Sequence, residues 1–108
     1  MIEKLYHYST EDETAVEKII MDDNVHYIHM VFNKDKGLPE HFSNSNVYMT
    51  IIRGVLSIQL DDQDIHKYSK GDIIQIPYQT KMNVKNLHEE VLELIVIKAP
   101  APPHYQAK

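Results

Sequence analysis

The chain contains no cysteine, which excludes disulfides and thiolate metal ligands. It has one arginine, Arg53, and a formal charge of −5. Its lysines are scattered, so the clustered basic surface that phosphate backbones require is missing and no nucleic-acid partner is expected. No stretch approaches the roughly 18 consecutive apolar residues of a membrane-spanning helix, and no membrane partner is expected either. The opening residues MIEKLYHYSTEDE carry charges throughout and lack the apolar core of a secretion signal. The expected setting is the cytoplasm.

Glycine is scarce as well. Gly37, Gly54 and Gly71 are the three in the chain, spaced seventeen residues apart, and each borders a run rich in Val, Ile, Leu, Tyr or Met. Glycine takes positive φ at no steric cost, so these positions predict tight turns between strands. The residues flanking them do not match, which rules out an internal repeat.

What remains is a β protein. A chain of 108 residues makes one domain and buries roughly two-thirds of the surface it exposes when unfolded, enough for a core without covalent staples. Residues 3–8 alternate weakly and predict a short strand. Thr10 and Glu13 have capping-box spacing, but β-branched Val16, Ile19 and Ile20 favour a turn leading into a strand over 15–21. Further strands are predicted at 25–33, 47–53, 55–60, 64–68, 72–76, 82–86 and 91–97, separated by polar connectors. Short strands at this spacing predict a sandwich or small barrel. Pro100, Pro102 and Pro103 make residues 99–108 a poor strand, expected as an extended arm on the surface or on a second subunit, or as a disordered end.

Seven histidines are many for this length. His26 and His29 lie three apart and would share a helix face, but on a strand they point to opposite faces and do not chelate together. His88-Glu89-Glu90 begins like a zinc motif but has Leu92 where the second histidine would stand, so a solvated turn is expected. Asp61, Asp62 and Asp64 lack the further ligands of a calcium loop and mark a polar hairpin. His7, His66 and His104 have no identifiable partners.

His41 differs. The segment GLPEHFSNSNVYMTIIRG resembles the first motif of the cupin superfamily. Gly37 stands at its opening, His41 at the first histidine, Ser43 at the second, Val47 at the carboxylate and Gly54 at the closing glycine. GDIIQIPYQTKMNVKN resembles the second motif. Gly71, Pro77 and Asn86 match, while Met82 replaces the histidine and Gln79 a glycine. The resemblance spans roughly residues 25–98. It implies an all-β double-stranded β-helix, a jelly-roll barrel of the RmlC-like kind, with residues 1–98 as one domain. Within that domain, residues 1–24 form N-terminal strands or an arm, residues 25–98 form the barrel, and a Pro-rich tail follows over 99–108. It also implies a homodimer, with the first strands and the tail left to cover a partner.

The family's usual metal cage takes three histidines and a carboxylate, a set suited to iron, manganese, nickel or zinc. One of the four survives here, as His41. Ser43 is a poor ligand, Val47 is none, and the Met82 thioether suits soft Cu(I). No metal cofactor is therefore expected. The alternative is a weakly bound divalent transition metal held by His29 and His41, if alternation turns Tyr27, His29 and Val31 inward and other groups complete the sphere. Otherwise His29 and His41 are hydrogen-bonded residues lining a partly apolar cavity. The expected pocket is lined by His29, His41, Ser43, Tyr48, Met49 and Met82. Ile51 shares the parity of Met49, methionines are also ordinary core residues, and parity threatens to turn Tyr48 outward.

Two classes of function follow. The first is a module that binds a small polar or carbohydrate-like molecule. The second is an enzyme: a metal-free sugar isomerase or epimerase with His41 as general base, or a metal-dependent dioxygenase using His29 and His41. Glu40 orients His41 only if the loop bends, and no second acid–base partner is evident. Binding is favoured over catalysis.

Overall fold

The alternating runs pair into nine antiparallel strands. In the computed structural model, which describes residues 1–102, they are β1 (Ala15–Met21), β2 (His26–Phe32), β3 (Gly37–Phe42), β4 (Val47–Arg53), β5 (Val55–Leu60), β6 (His66–Ser69), β7 (Ile73–Ile76), β8 (Lys81–Lys85) and β9 (Leu92–Lys98). Among the described residues there is no helix, and so none long and apolar enough to cross a membrane. A five-stranded sheet runs β1-β2-β9-β4-β7 and packs on a four-stranded sheet, β3-β8-β5-β6.

The period of two along each strand decides the core. Ile28, Met30 and Phe32 of β2, Val47, Met49 and Ile51 of β4, and Leu92, Leu94 and Val96 of β9 point into it. From the opposite sheet come Leu56, Ile58, Met82 and Val84. Burying each such side chain contributes about 2 kcal/mol.

Eight of the nine strands fall on predicted ones. The ninth, β3, lies in the segment read as a connector, and Pro39 inside it explains why. As an edge strand, β3 tolerates a residue without an N–H, and its pairing with β8 is irregular between Leu38 and His41. Residues 3–8, predicted as a strand, form none. Their large apolar side chains, Leu5, Tyr6 and Tyr8, stay exposed.

Gly54 turns at φ 82°, and a Cβ there would sit 2.4 Å from the Val91 carbonyl oxygen, so both backbone and space demand glycine. Gly37 corrects the expectation of three tight turns. Its φ is ordinary, and glycine is needed because a Cβ would lie 2.0 Å from the Val84 oxygen of the neighbouring strand. The chain stays on the domain past β9. The Ala99 N–H donates to Asn46 O, the Ala101 N–H donates to Asn24 O, and Ala101 is fully buried. The rest of the expected tail, residues 103–108 with His104, lies outside the described residues.

Candidate functional site

His41 sits where the two sheets part. The five-stranded sheet extends beyond the four-stranded one, and β1 and β2 face β3 across a cleft of about 280 Å³. Its floor follows from strand register. Val16 pairs with Met30 and Lys18 with Ile28, so all four share the inner face of the five-stranded sheet. Leu38, Pro39 and His41 of β3 form the opposite wall, and Lys98 enters from the end of β9. Lys98 pairs laterally with Val47, a core residue, which turns its side chain inward.

The imidazole of His41 is oriented by its own strand. A carbonyl can only accept, so the 2.8 Å contact between Nδ1 and Pro39 O places a proton on Nδ1. In the neutral ring Nε2 is then left with its lone pair, able to accept a proton or a hydrogen bond. Lys98 donates to Asn44 Oδ1 at 3.2 Å. Burial of the ammonium, and then the nearby charge of Lys18, hold its pKa below the usual lysine value. Neither lysine was singled out from the sequence. No local signal was available, because the two meet only through the pairing of β1 with β2 and of β2 with β9.

His29 lies elsewhere. The inward face of β2 is Ile28, Met30 and Phe32, so Tyr27, His29 and Val31 look outward, opposite to the sequence expectation. His29 therefore does not join His41. It is fully buried on the outer face, with Nδ1 2.7 Å from Glu17 Oε1 and Nε2 2.6 Å from Glu93 Oε2. Both partners are acceptors, so the ring satisfies both only with a proton on each nitrogen. Tyr8 stacks on it at 4.1 Å between ring centroids. Arg53 continues the network by donating to Glu93 Oε1 at 2.9 Å and to Asp12. The hydrogen bond from His29 is the main reason the Glu17 carboxyl lies below the usual range, against the opposing effect of desolvation. Asp12 is lowered in the same sense, chiefly by its hydrogen bond from Arg53. The network straps residues 8–14 to the sheet, helped by Thr14 and Asn33, whose side chains and backbones exchange hydrogen bonds.

The other expected pocket residues take structural places. Ser43 Oγ donates to Pro77 O at 2.6 Å and accepts from the Thr80 N–H at 2.8 Å, tying two loops together. Met49 and Met82 pack in the core. Tyr48, between inward Val47 and Met49, faces outward and is half-buried. Glu40 accepts from Asn83 and does not orient His41. In the turn after β8, His88 is half-buried and its Nε2 has no hydrogen-bond partner, so only Glu89 and Glu90 of that segment are exposed as expected.

The positions of the family's metal cage do not fit a metal. Ser43 is committed to backbone groups, Val47 is aliphatic, Met82 is sealed in the core, and only His41 offers a free nitrogen. Among the described residues no three His, Asp or Glu side chains are grouped so as to hold an ion. A smaller hollow of about 160 Å³ lies on the outer face of the four-stranded sheet, beside Ser57, Asn83 and Lys85. Ser57 Oγ is buried there without a hydrogen-bond partner. Lys85 is the one titratable side chain lining it, so it offers less chemistry than the cleft.

No model of a known protein family matches the chain. An uncharacterised protein of Methanocaldococcus jannaschii is 37% identical over 108 residues, covering 99% of this chain and 93% of that protein. The crystal structure of an RmlC-like cupin family protein with a double-stranded β-helix fold, from the same organism, matches at 37% identity with a TM-score of 0.91 over 94% of both chains. A cupin superfamily protein of Desulfitobacterium hafniense shares the fold at 15% identity and a TM-score of 0.73, covering 86% of this chain and 83% of that one. A likeness of the backbone at near full length, carried by more than a third of the residues, joins the two-sheet topology and the motif glycines in one assignment. The chain belongs to the RmlC-like cupin family.

Proposed function

We propose that this protein binds a small molecule in the cleft beside His41, without the metal cage common in its family. The observation that carries this reading is the His41 ring itself. One nitrogen is fixed by Pro39 O, and the other is left for a ligand at the mouth of a largely apolar cavity. Pockets for small molecules have this composition, an apolar lining with few oriented polar groups. The cleft is slightly smaller than the roughly 300–1,000 Å³ of typical ligand sites, which suits a compact metabolite.

A metabolite screen read by thermal shift, with and without divalent metals, tests the reading. Ligands that stabilise the wild type should fail to stabilise His41→Ala. A ligand that stabilises both equally would place the site elsewhere. Elemental analysis of protein purified without chelator should show well under one equivalent of transition metal, and a stoichiometric metal would overturn the metal-free reading.

Catalysis is the second reading, favoured by the same tautomer: Nε2 of His41 is available as a general base, and a positioned base contributes typically 100- to 10,000-fold. Proton exchange at a carbon acid next to a carbonyl, abolished in His41→Ala, would establish it. We place the protein in the cytoplasm as a homodimer. Exposed Met21 on edge strand β1, and exposed Ile2 and Leu5 before it, support a second copy as the cover. Analytical ultracentrifugation at micromolar concentration checks this, and a monomer would sink it.

A further inference from the structure

We infer that the ligand of this cleft is a small anion with an apolar body, of the class of a short-chain monocarboxylate, its charge held by Lys98 and Lys18 and its body by Ile28, Met30 and Leu38. The inference rests on the cleft reading above and adds the chemistry of the occupant.

Charge carries it. The chain has 16 acidic residues against 11 basic ones, and its ion pairs among the described residues involve His29, Lys34 and Arg53. Lys18 and Lys98 have no carboxylate partner among those residues. They are nonetheless brought to one apolar recess by register, Lys18 opposite Ile28 and Lys98 at the end of β9. Most described lysines are likewise without a carboxylate partner, Lys34 being paired; what sets these two apart is that they share one apolar recess and that Lys98 is half-buried in it.

The arrangement has an energetic cost in the empty protein. Lys98 is half-buried, its single described hydrogen bond is to the neutral Asn44, and Lys18 repels it. An anion between the two would convert repulsion into two charge-assisted hydrogen bonds in a partly desolvated site. The same charges argue against a bound cation. The cavity volume and apolar floor argue against a polyphosphate, which would need a larger and more polar site. His41 Nε2, on the facing wall, is placed to accept from a hydroxyl or other donor on the same ligand.

The test uses hexanoate and its neutral isostere hexanamide on the full chain at low ionic strength and neutral pH. Binding is followed through the methyl NMR signals of Met30 and Ile28. Hexanoate should shift both signals and bind at least about tenfold more tightly than hexanamide. Lys98→Met keeps the aliphatic stem and the fold, and should weaken hexanoate about tenfold while leaving hexanamide unchanged. Lys18→Met, at a more exposed position, should weaken it about threefold. Equal binding of acid and amide, or full hexanoate affinity in Lys98→Met, would overturn the anion inference while leaving the cleft as a binding site. Absence of methyl shifts with both probes would instead remove the cleft reading, and the inference with it.

Discussion

The two faces of the five-stranded sheet hold similar groups in opposite states of satisfaction. On the outer face, His29 has a carboxylate at each nitrogen, Arg53 bridges two more carboxylate contacts, and Tyr8 seals the ring. On the inner face, at the cleft, Lys18 and Lys98 lack opposite charges among the described residues, and His41, facing them from β3 of the other sheet, keeps one nitrogen unpaired. The first arrangement fits stability, because a buried polar group is tolerated only when its partners are supplied. The second fits binding, because groups already paired have nothing to offer a ligand. The residue with the more elaborate hydrogen-bond network is thus the less promising functional group.

Substitutions that separate these two roles would break or sharpen the contrast. The largest effect is expected at His29. His29→Ala leaves two carboxylates facing each other across a buried void and should cost about 3 kcal/mol in urea unfolding. His41→Ala should stay within about 0.5 kcal/mol of wild type, and equal losses at the two histidines would erase the distinction. Ser43→Ala comes next, at about 1–2 kcal/mol, since it orphans the Thr80 N–H and frees the Pro77 carbonyl. Ligand affinity in that variant should not change.

A pH effect follows from the outer network. The Glu17 carboxyl is lowered in the folded state from its usual 4.5, so its contribution is complete above that value. It is lost as pH falls through the lower folded value, and the denaturation midpoint should drop on acidification below about pH 4.5. Glu17→Gln, which keeps an acceptor for His29, should flatten that acid limb. An unchanged limb would show that the network does not report on folding. The smallest effect is at the cleft. Lys98→Met removes a half-desolvated charge and should leave the melting temperature unchanged or slightly raised, within about 0.5 kcal/mol. A clear loss of stability there would mean that Lys98 has a structural partner.

Much of the architecture was legible because turn chemistry and period-two patterning are local. Eight strands were readable from runs such as VYMTIIR and VLELIVI, and β3 was hidden by Pro39, which an edge position tolerates. The site was less legible. In VHYIHMVF both parities are largely apolar, so alternation alone cannot say which face looks inward. The outer parity is apolar because residues 8–14 cover it, a contact between segments far apart in sequence. Lys18 and Lys98 were invisible for the same reason, being eighty residues apart and joined only by way of β2 and the pairing of β2 with β9.

By itself, the sequence determined the fold class, the positions of most strands, the need for glycine at the two motif corners Gly54 and Gly71, both at positive φ, and the loss of three of the family's four metal ligands. These depend on residue identity and on neighbours a few positions away. Tertiary structure alone decided that His29 is a buried strut and His41 a cleft residue, and that two distant lysines meet at one recess. The orientation of a strand's two faces is set by what packs on each, and that is a property of the assembled sheets rather than of any single run of residues.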